Sequence, residues 1–133
     1  MTAYLLDTNI VSDVLRHPHG KAAMRMLNAG IDRLRISIVA AAEIRFGLVR
    51  RNAAALAAKL DELIGQVIVV PFEAPADIFY AEIRADLERR GKLIGPNDLM
   101  IAAHALALDR VLVTDNVREF TRVKGLKVEN WLS

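Results

Sequence analysis

The sequence predicts a three-layer α/β/α domain with a short parallel central sheet, on three observations. Short apolar runs alternate along the chain with longer stretches of helical periodicity, as parallel strands covered by helices on both faces do. Residues 1–133 carry no repeat, low-complexity segment or linker, a length and continuity that fit one domain. The composition is 53% hydrophobic with only 5% aromatic residues, so the core must be built from Ala, Leu, Ile and Val, which suits Ala-rich helices lying close on a sheet.

Tyr4 to Leu6 reads as the first strand, ended by Asp7. Ile10, Val11, Val14 and Leu15 then recur at helical spacing from Thr8 to Arg16, and His17-Pro18-His19-Gly20 breaks that helix. Lys21 to Ala29 is a second helix, stopped by Gly30. Leu34 to Ile38 is the second strand, followed by an Ala-rich helix from Val39 to Arg51 and another from Ala53 to Ile64. Val67 to Val70 is the third strand, closed by Pro71, and Ala76 to Arg90 a long helix with charges on one side. Pro96 opens a helix to Leu108, proline being tolerated in a first turn. Val111 to Val113 is the fourth strand, and Leu126 to Val128 reads as a short edge strand.

The bulk properties exclude several classes. Eighteen Lys and Arg against 16 acids leave a net charge of +2, too mild to signal nucleic-acid binding without clustering. Without cysteine there are no disulfides and no thiolate metal sites. The most apolar runs, VIVVPF and MIAAHALAL, fall short of the ~20 residues that span a bilayer. The expectation is a soluble, cytoplasmic protein with no membrane association.

The acids show where chemistry belongs. In open α/β sheets ligands bind beyond the carboxyl ends of the strands. Asp7 ends the first strand, Glu43 lies in the first turns of the helix after the second, Asp98 in the first turn of the helix opened by Pro96, and Thr114-Asp115-Asn116 at the end of the fourth strand. Taken singly, each has an ordinary reading: Asp7 and Asn97-Asp98 as helix caps, Glu43 as a balance for Arg45 to Arg51, Thr-Asp-Asn as a turn. At four junctions of one parallel sheet they favour a site. Carboxylates gathered there repel, so one must hold a proton or a cation must sit among them. Oxygen donors without His or Cys favour Mg²⁺ or Mn²⁺, ions suited to phosphodiester hydrolysis.

The remaining polar residues are weaker signals. His104 lies far around the helix from Asp98 and reads as a satisfied core or interface histidine, His17 and His19 as loop residues, and Met24 and Met26 as packing. Basic residues cluster at Arg45-Arg50-Arg51, at Arg89-Arg90-Lys92 and at Arg118-Arg122-Lys124-Lys127. Solvated helix faces are the default for such groups. The last two clusters adjoin the expected acidic rim, where Arg89, Arg90, Lys92, Arg118 and Arg122 are candidate phosphate contacts to RNA. The scarcity of aromatics points to folded RNA rather than a long single-strand groove.

Four blocks then carry a resemblance over nearly the whole chain: LLDTNIVSDVL, SIVAAAEIRFGL, IGPNDLMIAAHALA and LVTDNVREFTRVKGLKVENW. In this order they resemble the PIN-domain ribonucleases, and in particular the VapC-type toxins of bacterial toxin–antitoxin pairs. The resemblance implies a Mg²⁺-dependent endoribonuclease (Mn²⁺ substituting) that cuts structured RNA, with a tRNA anticodon loop, and initiator tRNA first, as the expected target. Asp7 and Asp98 match the family's principal metal ligands, and Glu43 the third acid, which holds metal or activates water. The fourth position falls on Asn116, where many members carry Asp, so Asn116 or its neighbour Asp115 is the expected fourth ligand. Asn9, Ser37 and Thr114 are expected to orient the carboxylates from behind. The resemblance further implies a VapB-like antitoxin that occludes the site, operator DNA bound only through that antitoxin, and a homodimer. Two competitors are weaker. A phosphoacceptor receiver would need paired acids after the first strand, where Asp7 stands alone. A catalytically weak PIN-like RNA-binding or scaffold domain stays open through Asn116.

Overall fold

The computed structural model describes all 133 residues. The chain runs β1 (Tyr4–Leu6), α1 (Thr8–Arg16), α2 (Lys21–Ala29), β2 (Leu34–Ser37), α3 (Ile38–Arg50), α4 (Ala54–Ile64), β3 (Ile68–Val70), α5 (Ala76–Arg89), α6 (Pro96–Ala107), β4 (Val111–Val113), α7 (Val117–Phe120) and β5 (Val128–Glu129). All strand pairs are parallel, in the order β3-β2-β1-β4-β5. The first three strands step outward in one direction, and the connection from β3 then crosses back to place β4 on the other side of β1. Right-handed crossovers therefore put α1–α4 on one face and α5–α6 on the other, the three-layer arrangement predicted. No helix is long and apolar enough to cross a membrane.

Strands this short are held by what covers them. Leu5, Leu6, Ile36 and Leu112 are fully buried, against Ile10, Ile44 and Leu60 on one side and Leu87 and Ile101 on the other. Ala40, Ala102, Ala103 and Ala105 are buried too, letting helix backbones come close to the sheet. Trp131 is sealed beneath the outer edge, its ring edge-on to Tyr4 with centroids 5.0 Å apart.

Most element ends fall within a residue of expectation, and two strand ends differ for a clear local reason. The second strand stops at Ser37, not Ile38, because the Ser37 hydroxyl accepts the Val39 amide at 3.1 Å and so caps α3. The last strand is Val128–Glu129 rather than Leu126 to Val128, since Thr114 N donates to the Glu129 carbonyl and draws that residue into the ladder. A 3₁₀ turn (Ile31–Arg33) and the one-turn α7 were not anticipated, as neither is long enough to show a periodicity.

Candidate functional site

The order of strand addition reverses between β1 and β4, and the crevice of an open α/β sheet lies beyond the strand ends at such a switch point. Asp7 and Thr114 leave the sheet there side by side, joined by the backbone bond from Asp7 N to Val113 O at 2.9 Å. Asp7 is almost wholly buried, 3% exposed. One of its oxygens accepts the Thr8 amide at 2.8 Å, capping α1, and the other accepts the Thr114 hydroxyl at 2.8 Å. The cap and the site are thus one residue, and neither reading of Asp7 excludes the other. Burial pushes its carboxyl above the ordinary value, the Glu43 charge adding to the rise, while these hydrogen bonds oppose it.

A second tier fixes the first. Asn9 reaches Asp7 and the Thr114 hydroxyl with its amide nitrogen, both at 3.4 Å, and its amide oxygen accepts the Asp115 backbone N–H at 2.9 Å. The Thr114 hydroxyl also accepts the Asn116 N–H at 3.0 Å. Glu43 is tied to the same rim by the Thr8 hydroxyl, which donates to it at 2.9 Å. Asn9 and Thr114 therefore stand where orienting groups were expected.

Asp98 enters from the first turn of α6, where Pro96 occupies the start of the helix. Its carboxyl is pushed up to about 7, first by desolvation and then by the charges of Asp7, Glu119 and Glu43, with a hydrogen bond shared with Glu119 adding to the rise. Glu119 is the site residue that sequence reasoning missed. It lies on α7, and the Asn116 side-chain nitrogen donates to its carboxylate at 3.1 Å. Asn116 is the N-cap of α7 and Glu119 its third residue, a spacing of Asn to Glu that marks a helix start and was the available signal.

Four sequence-based expectations are corrected. Asn116 does not stand alone at the fourth position, because its side-chain nitrogen donates to Glu119, an acid that reaches Asp98, while its amide oxygen carries no hydrogen bond. Asp115 is exposed and turned outward, its carboxylate accepting from Asn130 at 3.1 Å. Ser37 orients no carboxylate. Its buried hydroxyl lies 2.9 Å from His104 Nδ1, and the ring also bonds the Pro71 carbonyl. With its other nitrogen donating to the Pro71 carbonyl, His104 accepts the Ser37 hydroxyl hydrogen bond at Nδ1, and burial holds its basicity below the ordinary value. Its ring is edge-on to Phe72 at 5.4 Å, so it is the core histidine expected. Finally, Arg90 and Arg122 are committed within the protein. Arg90 grips Asp86 at 2.7 and 3.0 Å and the Arg122 carbonyl at 2.6 Å, and Arg122 donates to the Leu93 carbonyl at 3.2 Å. The Arg90 hydrogen bond, foremost, holds the half-buried Asp86 carboxyl below its usual range. Arg89, Lys92 and Arg118 are exposed.

Asp7, Glu43, Asp98 and Glu119 thus face a common rim, with no Lys or Arg among the groups that shift Asp7 or Asp98. No group of three or more His, Asp or Glu side chains is gathered tightly enough to hold a metal ion directly. The carboxylates are spread along the rim rather than closed into a cage.

A family model described as "PIN domain" matches residues 4–126. The chain belongs to the PIN-domain family. Within that family it falls among the VapC ribonucleases. It is 37% identical to Ribonuclease VapC2 of Rickettsia felis, the match covering 96% of this chain and 97% of that protein. It is 34% identical to the tRNA(fMet)-specific endonuclease VapC of Shigella flexneri, over 98% and 99% of the two chains. Among solved structures, the DNA-bound VapBC of Salmonella typhimurium matches with a TM-score of 0.91 at 32% identity, over 98% of this chain and 99% of that one.

Proposed function

We propose that this protein is the Mg²⁺-dependent endoribonuclease toxin of a VapBC-type pair, hydrolysing a phosphodiester bond in structured RNA. A tRNA anticodon loop is the expected target and initiator tRNA the first candidate, in keeping with the name of the Shigella relative. The observation that carries the reading is the convergence of Asp7, Glu43 and Glu119 on Asp98, whose carboxyl is pushed up to about 7 by burial first and then by those three acids. So much negative charge without a facing cation is the environment a hard dication neutralises.

The donor set fits Mg²⁺ or Mn²⁺. Asp7, Asp98 and Glu119 present oxygens only, Glu43 stands beside them, and an open rim suits an ion that keeps several of its waters. When bound, the ion supplies charge to the phosphoryl oxygens and acidifies water. The protein does the rest. Thr114, Thr8 and Asn9 fix the Asp7 carboxylate, so that its orientation need not be won during the reaction. With such an ion bound Asp98 would stand as the carboxylate, and Glu119, held by Asn116, would share the charge that remains. Glu43, anchored by the Thr8 hydroxyl, accepts a proton from the attacking water. Water adds to phosphorus, the bond to the leaving oxygen breaks, that oxygen takes a proton from solvent, and Glu43 returns its own to solvent.

An antitoxin of the VapB kind would silence the site by placing a basic side chain among the acids, satisfying the same charge. Operator DNA would be engaged through that antitoxin, and the free toxin would pair with a second copy. The deciding experiment is cleavage of total tRNA by wild type and Asp98→Asn, each with Mg²⁺ and with EDTA. A discrete cut made only by wild type with Mg²⁺ is expected. A cut indifferent to EDTA or to the substitution overturns the reading.

A further inference from the structure

A groove of about 180 Å³ opens directly beside the acid rim. Thr8, Ser12 and Arg16 of α1 form one wall, and Glu43, Gly47 and Arg51 the other, with Leu56 of α4 at the far end. Each trio is spaced by four residues, so each is a single stripe along its helix or the cap that ends it. The groove thus starts at the Thr8–Glu43 hydrogen bond, within the site, and ends roughly 12 Å further along the helix axes at two guanidinium groups.

Those guanidiniums are unspent. Arg25, Arg45 and Arg90 are each engaged by a carboxylate, whereas neither Arg16 nor Arg51 takes part in any ion pair. Arg51 commits only its Nε, to the Gly47 carbonyl at 3.2 Å. Gly47 itself adds to the case. A glycine inside a helix is destabilising by about 1 kcal/mol against alanine. Yet the nearest atom to a methyl placed there is an Arg51 terminal nitrogen at 3.7 Å, an ordinary contact. Packing does not demand this glycine, and its effect is to keep that wall of the groove clear of a side chain.

We propose that the RNA strand passing through the acid rim continues along this groove, and that Arg16 and Arg51 hold phosphates beyond the one that is cut. The proposal rests on the ribonuclease reading and extends its substrate site. Carboxylates at one end and free guanidiniums at the other suit a polyanion whose reacting phosphate is met by a cation and whose next phosphates are met by arginine. No aromatic side chain lines the groove, so it fits the sugar–phosphate backbone and positions the RNA without reading its bases.

The test compares wild type, Arg16→Ala/Arg51→Ala and the corresponding double Lys variant, using fluorescently labelled total tRNA. Anisotropy between about 50 and 200 mM KCl gives the slope of log affinity against log salt, and cleavage with Mg²⁺ gives KM and kcat. Losing two phosphate contacts should flatten the slope by about 1.4 for single-stranded RNA. KM should rise severalfold with kcat little changed, and lysine should restore much of the loss. An unchanged slope and KM in the double alanine variant overturns the proposal. So does unaltered RNA binding with impaired capture of a VapB-type antitoxin, which would assign the groove to the protein partner. If wild type cuts no RNA the ribonuclease reading fails separately, while the salt slope still decides the groove.

Discussion

Asp98→Asn should make this protein more stable at alkaline pH while abolishing its proposed activity. Asp98 holds its proton up to about pH 7 in the folded protein, against 3.8 for a free side chain. Between those values the folded state binds a proton that the unfolded chain has released, so stability falls as pH rises across this window and is level above it. The full span corresponds to a ceiling of about 4 kcal/mol. Asp98 keeps partial contact with solvent, and screening reduces the expected loss to about 2 kcal/mol. Asparagine keeps the shape without the charge, so the variant should gain about 2 kcal/mol over wild type at pH 8, or roughly 6–10 °C in Tm for a chain of this size. Below pH 4 the gain should vanish. Urea unfolding of both proteins from pH 4 to 8, without divalent cations, measures it. The difference between the two curves is the informative quantity, because Asp86 and His104 titrate in both and cancel. A difference that stays flat with pH, or a variant less stable than wild type at pH 8, would refute the electrostatic account of the rim.

Three other substitutions separate roles within the site. Glu119→Gln removes one of the charges acting on Asp98, so the midpoint of the Asp98 transition, read by carboxyl NMR, should move below 7 toward the ordinary range. An unmoved midpoint would place Glu119 outside the site. Thr114→Val deletes the hydroxyl that bonds Asp7 and the Asn116 amide, and Mg²⁺ affinity by calorimetry should fall about 10–100-fold. Ser37→Ala leaves buried His104 Nδ1 and the Val39 amide without their partner, so stability should drop by about 1–3 kcal/mol with Mg²⁺ affinity unchanged. A loss of Mg²⁺ affinity there would return Ser37 to the carboxylate network.

What was legible in the sequence was whatever has a period or ends an element. Apolar runs located all five strands within a residue or two, and the acids ending β1 and opening α6 stood out because polar groups interrupt apolar patterns at those points. Groups whose partners come from elsewhere in the chain were not legible. Ser37 reads as an orienting hydroxyl at a strand end, and only the approach of α6 and the Pro71 loop shows that its partner is a histidine. Arg90 and Arg122 read as a basic edge until Asp86 and two carbonyls claim them. Glu119 was hidden by brevity, since a helix of four residues has no hydrophobic repeat. Its cap, Asn116, drew attention as a ligand, although the amide serves to aim the acid three residues on.

The strand order also governs the protein's own synthesis. β1 is made first and lies in the middle of the sheet, yet its neighbour β4 is made last but one. While the chain is emerging, Asp7 lacks the Thr114 hydroxyl that fixes it, and Glu119 has yet to be translated. No nascent or prematurely ended chain that stops short of β4 can assemble the acid rim, whatever helices it has already formed. The acid rim therefore comes into being late, only once β4 has taken its place beside β1 and α7 has followed it.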